Sequence, residues 1–141
     1  MEELLAYAIL AYQEIIIKEV FQKKIDELFL KDYENKVLLN LECENDIKKQ
    51  AAYIRENVDY NRFNYDKFGK ALMCLIREYY TNCSDIEEFA SHMYSLWESI
   101  PGYIQDREPF RILSYADDPL SWKDEEQSRK LYEDMLNYYE R

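Results

Sequence analysis

Two glycines and three prolines in 141 residues leave little turn chemistry for hairpins, a barrel or a glycine-rich loop that cradles phosphate. Long helices with few connections remain. A single histidine, His92, cannot supply the paired Glu-x-x-His repeats of a helical di-iron site, although Glu88 stands one turn before it. No serine or cysteine is arranged with it as a nucleophile motif, so it reads as a structural or solvated histidine. Cys43, Cys74 and Cys83 are odd in number and lack CxxC spacing. They read as buried or incidental thiols in a reducing compartment, with inert helix packing the default for Cys74 and Cys83. The most apolar run, LLAYAILAY, is nine residues long, far short of a membrane span. Glu2 and Glu3 precede it where a signal peptide carries positive charge. The expectation is a cytoplasmic protein with no membrane segment.

Acid is abundant. Eighteen basic residues against 29 acidic ones give a net charge of −11, and the excess is uneven. Residues 46–80 carry seven basic and five acidic side chains, net +2, whereas residues 81–141 carry six and fourteen, net −8. Phosphate backbones and anionic lipids need Lys and Arg to neutralise them, so direct nucleic-acid or membrane binding is disfavoured, even around Lys48, Lys49, Arg55, Arg62, Lys67 and Lys70. A basic protein partner is favoured. Fourteen tyrosines and six phenylalanines argue against disorder and for a ring-rich core with hydroxyls at its rim.

The hydrophobic pattern predicts an all-α, compact, single-domain bundle of five to seven helices over residues 1–141. Leu5, Ile9, Tyr12, Ile16 and Val20, continued through Ile25 to Leu28, suggest one long helix over residues 2–29. VLLNLEC, residues 37–43, alternates like a strand but has no partner strand, so a short helix is expected. Ile47, Ala51, Ile54 and Val58 mark a helix over 45–57, capped by Asn45 or Asp46. Phe68, Leu72, Leu75, Ile76 and Tyr79 mark the next, in which Gly69 is either a close-packing position or merely tolerated. SDIE, residues 84–87, has the capping-box pattern with Ser84 as cap. It opens the clearest stripe: Ile86, Phe89, Ala90, Met93, Leu96, Trp97 and Ile100. Pro101 and Gly102 stop it. A short helix from about Pro109 to before Pro119 and a last helix over 123–139, with Leu131, Met135 and Tyr138 on one face, complete the chain.

YADDPLSWKDEE, residues 115–126, is the candidate site. Asp117, Asp118, Asp124, Glu125 and Glu126 are hard oxygen donors, but their spacing fits no calcium loop. No metal, cofactor, small-molecule substrate or catalytic activity is therefore expected. Helix architecture explains part of the pattern, with Ser121 as cap and acids in the first turn. Docking explains the rest if Tyr115 and Trp122 serve as aromatic anchors inside a charged rim. Trp122 can equally staple the helix start onto the core. Tyr132, Tyr138 and Tyr139 read as core by default.

EEFASHMYSLWESIP, residues 87–101, and YADDPLSWKDEE, together with the size, the charge and the lack of catalytic motifs, make the chain resemble a known class. These are the small acidic immunity proteins encoded with bacterial polymorphic or contact-dependent inhibition toxins, some of them entirely helical. The resemblance implies a cytoplasmic inhibitor that binds a basic toxin domain, most readily a nuclease, and assigns no individual residue role. A carboxylate-based metal protein or enzyme and an acidic adaptor or regulatory subunit are the alternatives.

Overall fold

The computed structural model describes residues 1–140. The protein is all-α: eight α-helices and four 3-10 turns follow one another, with no strand among the described residues. Two helices go beyond the expected set, one from a break near the N-terminus and one at Gly102–Gln105, whereas the helix expected from about Pro109 to before Pro119 is instead a 3-10 turn, Phe110–Ser114. The chain divides into two compact units, residues 1–68 and residues from Gly69 onward, with the boundary inside one helix.

In the first unit, α1 (Glu2–Tyr12) buries Leu4, Leu5, Ala6, Ala8, Ile9, Leu10 and Ala11, so it is apolar on nearly every side, as a central helix must be. The expected continuation to residue 29 fails at Glu14. Its φ of 59° places it in the left-handed region; its N–H donates to Ala11 O at 3.0 Å and that of Ile15 to Leu10 O at 2.9 Å. These two bonds close a helix in the way a C-terminal glycine normally does, with Ile15 folding back as the apolar contact. Because the stop is carried by a glutamate, no glycine advertises it.

α2 (Lys18–Lys31) then buries Phe21 and Ile25. α3 (Lys36–Glu42) resolves the helix-or-strand ambiguity, because Asn35 Oδ1 accepts from Val37 N at 2.9 Å and Leu38 N at 3.2 Å and so starts a helical turn. Leu38 and Leu41 are buried while Leu39 is exposed, the spacing of a helix. Asp46 caps α4 (Ile47–Asn57), accepting from Lys48 N at 3.0 Å. Buried Gln50 donates to Leu41 O at 3.1 Å and Glu44 O at 2.8 Å, tying α3 to α4. Between α4 and α5, DYNRFNYD forms a 3-10 turn, Tyr60–Arg62, followed by a ring cluster in which Phe63 lies 5.2–5.7 Å from Tyr60, Tyr65 and Phe68.

The second unit takes the greater part of α5 (Tyr65–Asn82), then α6 (Ile86–Ser99), the short α7 (Gly102–Gln105), 3-10 turns at Phe110–Ser114 and Asp118–Trp122, α8 (Glu125–Leu136) and a final turn at Tyr138–Glu140. The stripe of α6 is buried as expected, apart from Trp97 at its half-buried edge. Its cap is Asp85, which accepts from Glu87 N at 2.9 Å, and not Ser84: with two candidate caps side by side, the carboxylate adjoining the first turn takes the amide. Gly69 packs against the ring of Tyr139, with no room for a Cβ. The alternative that this glycine is merely tolerated therefore falls. α8 is shorter than expected, and its inner face is Ser128, Tyr132, Met135 and Leu136. Leu131 and Tyr138 lie at the margin. Arg77 fixes the end of α8 by donating to Leu136 O and Asn137 Oδ1, both at 2.8 Å.

Met93 is wholly buried, so Met93→Asp should lower unfolding stability by on the order of 3 kcal/mol or more, because an unpaired charge is desolvated. An unchanged denaturation midpoint would remove α6 from the core. In the first unit, Gln22 Nε2 donates to Asp26 Oδ1 at 3.0 Å and to Glu42 Oε2 at 3.3 Å. Burial, a hydrogen bond from Asp26 and its charge push the Glu42 carboxyl up to about 7. An acid raised on folding binds more protons in the native than in the unfolded state, so stability should fall as pH rises from its ordinary 4.5 towards about 7. Urea midpoints across that window should decline less in Glu42→Gln than in the unaltered chain.

Candidate functional site

The segment between α7 and α8 is anchored from within. Phe110, Ile112, Leu113, Ala116 and Pro119 are buried, and Ser128 Oγ of α8 donates to Ala116 O at 2.7 Å. With every third residue from Phe110 to Pro119 drawn inward, as 3-10 geometry dictates, Tyr115, Asp118, Ser121 and Trp122 face outward. Tyr115 is 37% exposed and Trp122 60% exposed, so Trp122 does not staple the helix start to the core.

Ser121 is not the cap of α8. Its hydroxyl donates to Asp118 O at 2.7 Å inside the second 3-10 turn. That turn runs to Trp122, and Lys123 then reverses the chain in a left-handed conformation, φ 62° and ψ 28°. The helix cannot begin until after it. Asp124 is the cap, its Oδ1 accepting from Gln127 N at 3.0 Å, with Glu125 and Glu126 in the first turn.

Charge on this corner is only partly compensated. Glu125 is held by Arg129, whose Nη2 is 2.8 Å away, and Arg129 also reaches the Tyr80 hydroxyl at 3.4 Å. Among the described residues no cation stands within ion-pair distance of Asp118, Asp124 or Glu126. Asp117 differs from the rest because it is half-buried and its Oδ1 has no hydrogen-bond partner. Burial pushes its carboxyl above the usual carboxylate range, its own N–H partly offsets this, and neighbouring Asp118 adds to the rise. Tyr132 is fully buried and its hydroxyl also lacks a partner; burial, then Asp117 and Asp118, push the phenol well above its ordinary value.

An open groove of about 470 Å³ runs between α6 and this segment, with Glu87, Ala90, Ser91 and Tyr94 on one side and Asp117 and Leu120 on the other. Sequence reasoning missed Glu87 and Tyr94 as site residues. Both lie off the apolar stripe of α6, and only the fold brings that face beside Asp117.

The other candidates are dispersed. His92 is half-buried, with the Tyr79 ring edge-on at 5.8 Å, and no three His, Cys, Asp or Glu residues among those described gather where they can hold a metal ion. Cys43 and Cys74 are exposed and Cys83 is intermediate. The expectation of a buried Cys74 fails because it lies on the outer side of α5, between inward-facing Met73 and Ile76. Tyr132 is core as expected, while Tyr138 and Tyr139 are half-buried. Lys48 and Arg55 flank a smaller cleft of about 300 Å³ with Tyr12, Ala51 and Ala52. No helix among the described residues is long and apolar enough to cross a membrane.

Comparison with protein-family profiles, curated proteins and solved structures finds no match. The case for a site therefore rests on geometry and charge.

The two serine-or-aspartate cap assignments give opposite mutational outcomes. Asp124→Ala should lower stability by about 1 kcal/mol through loss of the cap. Ser121→Ala, at an exposed turn position, should stay within about 0.5 kcal/mol. Denaturant midpoints at constant slope measure both, and the reverse order would restore Ser121 as the cap.

Proposed function

We propose that the protein is an immunity-type inhibitor, a cytoplasmic and non-catalytic binding protein that neutralises a basic bacterial toxin domain through its acidic C-terminal surface. A nuclease is the partner that the charge favours. The observation that carries this reading is the 115–126 segment, in which Trp122 and Tyr115 are exposed and Asp118 and Glu126 have no cation within ion-pair distance among the described residues. It lies in a unit with eight basic and fifteen acidic residues over 69–141, net −7.

A nuclease presents a cationic surface to its polyanionic substrate. An acidic partner is drawn to that surface by the same field and covers it once bound. Aromatic anchors contribute most of the binding energy when they become desolvated, and the carboxylates around them set encounter rate and orientation. An adaptor role would use the same surface and differ only in its partner. No specific observation favours a carboxylate-based metal protein.

The test is co-expression with the product of the adjacent gene, read as growth, together with association rates for the purified pair. Asp118→Lys combined with Glu126→Lys should slow association by roughly tenfold or more at low salt and weaken protection, with the gap closing as salt rises. Asp117 is left unaltered here because a lysine at that half-buried position would itself be poorly solvated and disturb the fold. Binding that ignores both salt and these reversals would overturn the assignment of the surface. Absence of any protection or binding would overturn the proposed function.

A further inference from the structure

The groove between α6 and the 115–122 segment has a composition that goes beyond a generally acidic surface. Its acidic lining residues are Glu87 and Asp117, and no basic residue among those described lines it. Ala90 and Ser91 keep its α6 side low, Tyr94 and Leu120 give it apolar walls, and the Tyr94 ring is 41% exposed. Asp117 lines the groove while its Oδ1 is buried inside the fold without a hydrogen-bond partner, and the fully buried Tyr132 has a hydroxyl in the same condition. With one oxygen buried and unpartnered, this carboxylate is only partly solvated in the free protein, so its charge gains more from a cation arriving on the groove side than a carboxylate in open water does.

We propose that this groove is the seat for one arginine side chain of the basic partner, with its stem along Leu120, its guanidinium plane over Tyr94 and its N–H groups on Asp117 and Glu87. Arginine fits better than lysine because its planar head stacks on a ring while several donors diverge to separate acceptors. The hydroxyls of Ser91 and Ser121, which also line the groove, add acceptors that a single ammonium cannot reach together. This inference rests on the proposed function for the source of the arginine. The groove itself can be examined without the partner.

The probe is N-acetyl-arginine amide, titrated into the isotope-labelled full chain and followed by amide chemical shifts, with the neutral isostere N-acetyl-citrulline amide as control. Saturable shifts confined to the neighbourhood of Ala90, Ser91, Tyr94, Asp117 and Leu120 are expected, and the citrulline compound should give none. Asp117→Asn should weaken binding by about tenfold. Ser91→Leu, an exposed change that fills the groove and leaves every charge in place, should weaken it comparably. Both variants are first checked for an unaltered amide spectrum elsewhere, and Ser91→Leu keeps the test open if Asp117→Asn perturbs the fold. Shifts spread along the outer face of α8 and indifferent to both variants would overturn the groove in favour of diffuse surface attraction. So would the absence of any shift. Arginine capture without a basic protein partner would retain the groove and sink the inhibitor reading. Salt-dependent protection by the chain without arginine capture would do the reverse.

Discussion

The second unit depends on the ring of Phe89. It lies stacked with Tyr79 at 5.7 Å, edge-on to Tyr80 at 4.9 Å and perpendicular to Tyr132 at 4.9 Å, so one residue of α6 meets two on α5 and one on α8. Offset and edge-to-face pairs contribute beyond their buried area and fix ring orientation. That orientation matters outside the core. With Tyr132 held against Phe89, its hydroxyl comes within electrostatic reach of Asp117 and Asp118, and Ser128, four residues earlier on α8, holds Ala116 O. The acidic segment is thereby attached to the core at Ala116, by a residue on the same helical face as Tyr132.

The helical class and the stripe of α6 were legible because they depend on periodicity, which survives small errors in boundaries. Helix ends were less legible because they depend on which of several polar neighbours takes an amide. Asp85 prevailed over Ser84 and Asp124 over Ser121, in each case with the carboxylate next to the first helical residue serving as acceptor. The break at residues 13–17 left no compositional trace. Glu14 and Lys123 adopt left-handed backbone in a chain whose two glycines lie elsewhere, at Gly69 and Gly102. A residue with a Cβ pays conformational energy there that glycine does not, so in this protein scarcity of glycine does not mean scarcity of sharp turns.

The site was legible as a segment and not as a surface. Sequence places five carboxylates and two aromatic residues within twelve positions, but the fold gives them different tasks. Asp124 is occupied as a cap and Glu125 by Arg129. Asp118 and Glu126 are left for solvent or a partner, and Trp122 is exposed rather than folded inward. Counting acids overstates the free charge, and only the hydrogen-bond partners reveal the difference.

Asp117 is the residue in which these constraints meet. A carboxylate that is half-buried, without a partner on one oxygen and beside a second carboxylate costs the folded state free energy. An asparagine or serine would carry a smaller penalty. Nothing in the packing of the segment requires the charge: Ala116 and Pro119 supply its burial and Ser128 its attachment. The native state thus carries an electrostatic cost that the N–H of Asp117 offsets only in part. A cation at the groove would relieve it, and the relief would appear as binding free energy that a fully solvated carboxylate such as Glu126 cannot supply, since its solvation is already satisfied by water.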